Sequence, residues 1–136
     1  DLEIIISFLS DHEEVDILTL YHKMDQSEIN DPAKVKVVKS LDNKILYFSR
    51  SPIPYIQDEE QVPFYKHVGI YAFKTSILMR LASLSPTSLE KAEKLEQLRW
   101  LENGYKIYGI EIQNSTIGVD TREDLELARK MVDNHY

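Results

Sequence analysis

Six side chains in this sequence have types and positions suited to holding and activating a small polar molecule: Arg50, His67, Tyr71, Glu96, Gln97 and Asp120. His67 and Tyr71 flank Gly69 in the run Tyr65-Lys66-His67-Val68-Gly69-Ile70-Tyr71-Ala72-Phe73. In a strand, alternation puts His67, Gly69 and Tyr71 on one face and Val68, Ile70 and Ala72 on the other, with His67 and Tyr71 about 13 Å apart at ~3.3 Å rise per residue. Because Gly69 has no side chain, a shallow recess with polar walls is expected between them. The plainer alternative is that Gly69 admits a closely packed helix while the two rings make ordinary hydrogen bonds.

Arg50 ends a strand-like run just before Pro52. There its planar fork of donors suits a carboxylate or phosphate, and a surface ion pair accounts for it equally well. Glu96 and Gln97 adjoin on a helical stretch. Pairing of Glu96 with Arg99, and of Gln97 with Glu93, explains both without a ligand. Asp120 lies between a β-like stretch ending at Val119 and a helix starting near Thr121, where strand ends in α/β folds converge on ligands. A carboxylate there can take a hard cation such as magnesium, or can simply favour the amide end of the helix by ~0.3–1 kcal/mol.

The elements that must position these groups are legible in the apolar spacing. Leu2, Ile5, Ile6 and Leu9 recur at helical intervals behind Asp1 and Glu3. A buried strand is predicted over 15–21, after a turn at 11–14. Val35-Lys36-Val37-Val38 and Ile45-Leu46-Tyr47-Phe48 flank Leu41-Asp42-Asn43-Lys44, which predicts an antiparallel hairpin. Pro52 and Pro54 end that ladder, residues 57–61 form a polar surface loop, and a strand resumes over 64–73. Helices are predicted over 75–84 and 88–103, the second stopped by Gly104, then a strand over 105–112 and a last helix capped by Thr121. A helix followed directly by a strand implies a layered α/β architecture.

Composition narrows the function. In 136 residues, 43% apolar content suffices for one core. A net charge of −7, spread along the chain with no basic stripe, excludes nucleic acid as an expected partner. Cysteine is absent, which removes thiolate nucleophiles and disulfides. No apolar run approaches the roughly 20 residues of a bilayer span, and no export signal is visible, so a cytoplasmic address is expected. The chain opens at Asp1 without an initiator Met, and none of its four glycines clusters into a phosphate-cradling loop, so it reads as a piece of something longer.

Five strings carry a resemblance. Asn30-Asp31-Pro32 with Val35-Lys36-Val37-Val38, Tyr47-Phe48-Ser49-Arg50-Ser51-Pro52-Ile53-Pro54, and the run from Tyr65 to Phe73 come first. Leu95-Glu96-Gln97-Leu98-Arg99 with Glu102-Asn103-Gly104, and Gly118-Val119-Asp120-Thr121-Arg122-Glu123-Asp124-Leu125, follow in order. Together they resemble CMP-Kdo synthetases, cytidylyltransferases that activate 3-deoxy-manno-octulosonate (Kdo) with CTP for lipopolysaccharide assembly. Arg122 stands where that family usually has Pro, and residues 57–63 match no family pattern.

The resemblance implies a three-layer, mixed-sheet α/β fold of the nucleotide-diphospho-sugar transferase type, incomplete here. Residues 1–136 would be the carboxyl-terminal portion of a single cytidylyltransferase domain. The CTP-binding part, with the family's phosphate loop and first metal-binding aspartate, is absent, so this portion alone is expected to be inactive. The family's roles place Arg50, His67, Tyr71, Glu96 and Gln97 around the sugar acid and give Asp120 a catalytic part as a magnesium ligand. The resemblance also implies a homodimer. The alternatives are activation of another 2-keto sugar acid, or a non-catalytic sugar-binding or dimerisation module.

Overall fold

Ile17, Leu18, Leu20 and Tyr21 are all buried, and in the strand β1 (Ile17–Lys23) they point alternately to opposite sides. A strand that is apolar on both faces has to be covered on both. The computed structural model, which describes residues 2–58 and 62–113, shows that arrangement. The sheet contains β2 (Lys36–Lys39), β3 (Ile45–Ser49), β4 (Tyr65–Phe73), β1 and β5 (Ile107–Glu111) in the order β3-β2-β4-β1-β5. β1 runs antiparallel to β4 and parallel to β5, so the sheet is mixed.

On one face Ile17, Tyr21, Val37, Phe48 and Ile107 pack with Ile77 and Leu81 of α2 (Thr75–Ala82) and with Leu95, Leu98 and Trp100. On the other, Leu18 and Leu20 pack with Val15, Ile112 and Ile5 of α1 (Leu2–Asp11), flanked by Phe8, Leu9, Val68 and Ala72. Helices therefore cover both sides of the sheet, as expected of a three-layer α/β fold.

The predicted hairpin is present. Asn43 supplies the left-handed residue of its turn at φ 66°, and the Ser40 amide donates to the Lys44 carbonyl at 2.8 Å. Behind the hairpin, a Cβ on Gly109 would lie 2.7 Å from two Tyr21 ring carbons and 2.9 Å from Ile45 Cδ1. Gly109→Ala is therefore expected to destabilise the fold by about 1–3 kcal/mol through overpacking. A urea midpoint equal to that of the parent chain would refute this.

One element departs from expectation. The single helix predicted over 88–103 is two: α3 (Ser88–Glu93) and α4 (Gln97–Glu102). Lys94 breaks it at φ 57°, and the amides of Lys94 and Leu95 both donate to the Glu90 carbonyl, at 2.7 and 3.3 Å. A left-handed lysine costs roughly 1–2 kcal/mol, offset by burial of Leu95 and by bonds from Arg50 to the exposed carbonyls of the break. Gly104, at φ 82°, ends α4 as its position predicted. The helix expected from Thr121 lies outside the described residues, as does part of the 57–61 loop.

Candidate functional site

The site begins with an irregularity in β4. Thr19 of β1 faces Tyr71 while its neighbour Leu20 faces Val68, so Gly69 and Ile70 bulge out of the ladder and are exposed. His67 and Tyr71 consequently stand opposite Tyr21 and Thr19, two residues apart on β1, and their ring centroids are 5.3 Å apart. The separation of about 13 Å expected for an unbroken strand, and the recess between the two side chains, are therefore corrected: the bulge brings the rings together. Among the described residues a Cβ on Gly69 would meet nothing within 4 Å, so no described helix packs closely on the glycine.

His67 is held by its surroundings. Its Nε2 lies 2.9 Å from Thr19 Oγ1, and the edge of its ring packs against Phe48 of β3 at 4.8 Å between centroids. Burial pushes its pKa down to about 4, against about 6.5 in an unfolded chain. Between these values the unfolded state binds a proton that the native state refuses. His67 therefore makes stability fall as pH drops from about 6.5 toward 4, and has no further effect below that. Expected from this is a His67 resonance that does not titrate between pH 5 and 8; a midpoint inside that window would contradict it.

Tyr71 is enclosed by rings. Trp100 meets it edge-on at 5.0 Å and Phe73 stacks at 5.8 Å. Burial, and secondarily the Glu96 carboxylate, raise its hydroxyl pKa well above the ordinary phenol value, so it stays a neutral hydrogen-bonding group. That coupling puts the Glu96 carboxylate, at the start of α4, within electrostatic reach of the Tyr71 hydroxyl.

Neither helix pairing that would have explained Glu96 and Gln97 without a ligand is hydrogen-bonded, although Arg99 feels the Glu96 charge. Arg99 instead grips Glu90 with Nε at 2.8 Å and Nη2 at 2.6 Å, and Glu93 accepts the Ser49 hydroxyl at 2.6 Å. Breaking the helix at Lys94 changes which residues lie one turn apart. Glu96 is exposed, Gln97 is 7% exposed, and neither side chain makes a hydrogen bond among the described residues.

Arg50 is a clamp as well as a candidate ligand. Its Nε donates to the Glu93 carbonyl at 2.7 Å, Nη1 to Pro32 at 2.9 Å and Nη2 to Lys94 at 3.2 Å, tying the 30–34 loop to the α3–α4 break. One N–H on each Nη is left over, a pair that suits a carboxylate. Beneath it Lys36, fully buried, donates from Nζ to the carbonyls of Asp31 at 2.7 Å and Arg50 at 2.8 Å. Burial lowers the Lys36 pKa.

Two chains of contact thus lead to α4 and the break before it: Arg50 reaches the break through backbone carbonyls, and Phe48, His67, Tyr71 and Trp100 of α4 meet ring to ring. Arg50, His67, Tyr71, Glu96 and Gln97 all belong to this neighbourhood. Asp120 lies outside the described residues. Thr19, Lys36 and Trp100 were not singled out from sequence; a lone hydroxyl in the apolar run Ile17-Leu18-Thr19-Leu20 was the one cue to Thr19.

Comparison with solved structures defines the class first. A CMP:2-keto-3-deoxy-manno-octonic acid synthetase solved with CTP superposes with a TM-score of 0.93 at 37% identity, covering 100% of this chain and 56% of its own. A glucose-1-phosphate thymidylyltransferase from Bacillus anthracis, solved with sucrose, gives 0.58 at 16% identity over 96% of this chain and 48% of its own, a likeness of fold alone. The described sheet and its two helical layers are thus part of a nucleotidyltransferase fold. The family described as "Cytidylyltransferase" matches residues 1–107, and the chain belongs to that family.

Curated relatives named 3-deoxy-manno-octulosonate cytidylyltransferase include one from Christiangramia forsetii, 47% identical over 88% of this chain and 49% of the relative. Another, from Acidobacterium capsulatum, is 45% identical over 87% and 49%. The chain spans about half the length of the curated relatives it matches.

Proposed function

We propose that the protein containing this chain is a 3-deoxy-manno-octulosonate cytidylyltransferase, making CMP-Kdo and pyrophosphate from CTP and Kdo for lipopolysaccharide biosynthesis. Residues 1–136 form the carboxyl-terminal portion of its catalytic domain. They supply the sugar-acid contacts Arg50, His67, Tyr71, Glu96 and Gln97, and the metal ligand Asp120. The observation that supports this reading is that Arg50 bonds the α3–α4 break while His67 and Tyr71 reach α4 through Trp100, with the Glu96 and Gln97 side chains making no hydrogen bond among the described residues and two Arg50 donors left over.

In the reaction, the anomeric hydroxyl of Kdo attacks the α-phosphorus of CTP and gives up its proton, and the bond to the bridging oxygen breaks to release pyrophosphate. This chain's residues hold the acceptor in line, so positioning is its main contribution. The leftover Arg50 donors take the sugar's carboxylate, and the neutral Tyr71 hydroxyl and the Gln97 amide take hydroxyls. Glu96 accepts from another hydroxyl. Magnesium would supply charge neutralisation at the phosphates, and within this chain Asp120, which the family resemblance makes a ligand, would hold it.

A homodimer, a cytoplasmic address and the absence of a nucleic-acid partner complete the proposal. No helix among the described residues is long and apolar enough to cross a membrane.

The test is pyrophosphate release by the full-length protein with CTP and Kdo, against sialic acid and amino-substituted Kdo as acceptors. Arg50→Ala is expected to raise KM for Kdo at least about tenfold more than KM for CTP, the effect of one lost charge-assisted contact. Equal impairment toward both substrates would reject the carboxylate role. Calorimetric binding of Kdo without any turnover would favour the non-catalytic module.

A further inference from the structure

We propose that Thr19 decides which ring nitrogen of His67 carries the proton, so that His67 presents a bare Nδ1 to the bound sugar acid and recognises a hydroxyl, not the carboxylate. The tautomer follows from the protein's own hydrogen bonds; the hydroxyl contact rests on the functional reading above.

Thr19 is 0% exposed, and its hydroxyl has a single proton to give. Oγ1 lies 2.8 Å from the Ile70 carbonyl oxygen, 3.3 Å from that of Val68 and 2.9 Å from His67 Nε2. Two oxygens at 2.8 Å need a proton between them, and a carbonyl has none to offer. The Thr19 proton therefore points at Ile70, with Val68, at 3.3 Å, its only other carbonyl acceptor. Toward His67 the same oxygen can only accept, which makes Nε2 the donor.

A neutral imidazole has one N–H, so Nδ1 keeps its lone pair, and among the described residues it has no hydrogen-bond partner. Its burial keeps the ring neutral across the physiological range. A bare nitrogen repels a carboxylate and accepts from a hydroxyl. The sugar acid is thereby oriented with its carboxylate toward the cationic Arg50 and a hydroxyl toward His67. The bulge is integral to this device, because Val68 borders it, Ile70 lies in it, and the carbonyls of both turn to Thr19.

Thr19 is thus a positioning residue acting through His67. The test uses the full-length protein with 15N-labelled histidine, reading the tautomer from long-range 1H–15N correlations and assigning the resonance with His67→Gln. Wild type is expected to show protonated Nε2 and bare Nδ1. Thr19→Val is expected to give a tautomer mixture and to raise KM for Kdo about 3- to 10-fold, the effect of one weakened hydrogen bond, with KM for CTP unchanged; Thr19→Ser restores both. A wild-type spectrum with protonated Nδ1 overturns the proposal whether or not the variants fold, as does a Thr19→Val spectrum identical to wild type. Absence of Kdo-dependent pyrophosphate release in wild type would instead remove the substrate reading and the hydroxyl contact with it, leaving the tautomer to be decided by the spectrum.

Discussion

Lys36→Met is expected to lower the unfolding free energy by about 3 kcal/mol, because the substitution keeps the apolar stem and removes only the ammonium. That ammonium is the sole side-chain donor to the carbonyls of Asp31 and Arg50 among the described residues, and both bonds are short, at 2.7 and 2.8 Å. Charge-assisted bonds contribute roughly 1.5–3 kcal/mol each. Against their loss stands the relief of no longer burying a cation in a position of zero exposure. The two bonds are expected to win, since the Arg50 carbonyl stays behind without another partner among the described residues and that of Asp31 keeps only the Lys34 amide, at 3.0 Å. Because Arg50 Nη1 donates to Pro32, next to Asp31, loosening this loop also loosens the guanidinium. KM for Kdo should therefore rise in parallel with the stability loss. An unfolding free energy from urea titration within about 0.5 kcal/mol of wild type, the scatter of ordinary surface substitutions, would show that desolvation cancels the bonds.

Trp100→Ala should be at least as severe, at about 3–5 kcal/mol, the range for deleting a buried aromatic. Trp100 is 8% exposed and meets two rings edge-on, Tyr71 at 5.0 Å and Phe73 at 5.3 Å. Each such pair adds about 0.5–1.5 kcal/mol beyond burial. Trp100→Phe should recover part of the loss. Leu89→Ala, at a site 40% exposed on the neighbouring α3, is the control and should change stability far less. Thermal unfolding of the three variants decides the matter; equal melting points for Trp100→Ala and Leu89→Ala would contradict the packing described. Trp100 also lies one helical turn beyond Gln97 and directly against Tyr71, so its removal should weaken sugar-acid affinity even in the fraction that remains folded.

Much of the scaffold was readable from spacing alone. Each strand run lay in its expected place, and the Asn43 turn and the Gly104 stop follow from residue chemistry that acts locally. What was not readable depends on partners far along the chain. Lys94 is a poor candidate for a left-handed break on its own; Arg50, more than forty residues earlier, holds the carbonyls that favour it. Lys36 alternates with Val35 and Val37, as a solvent-facing lysine would, and only the 30–34 loop and the Arg50 carbonyl turn that side of the strand into an interior. His67 and Tyr71 could be nominated from their flanking of Gly69, but their closeness depends on unpaired residues in β4, which leave no mark on the alternation. Arg50 was legible as a fork of donors, not as a clamp.

The Gly69–Ile70 bulge also bears on how this strand tolerates changes in length. Two looped-out residues are an even number, so the side chains before and after them keep the same parity: His67 and Tyr71 remain on the ring-lined side, and Val68 and Ala72 on the side of α1. Loss or gain of one residue here would turn half the strand over and exchange a polar wall for an apolar one. Loss or gain of a pair would leave both faces as they are. Length variation among related chains at this point is accordingly expected to come in twos.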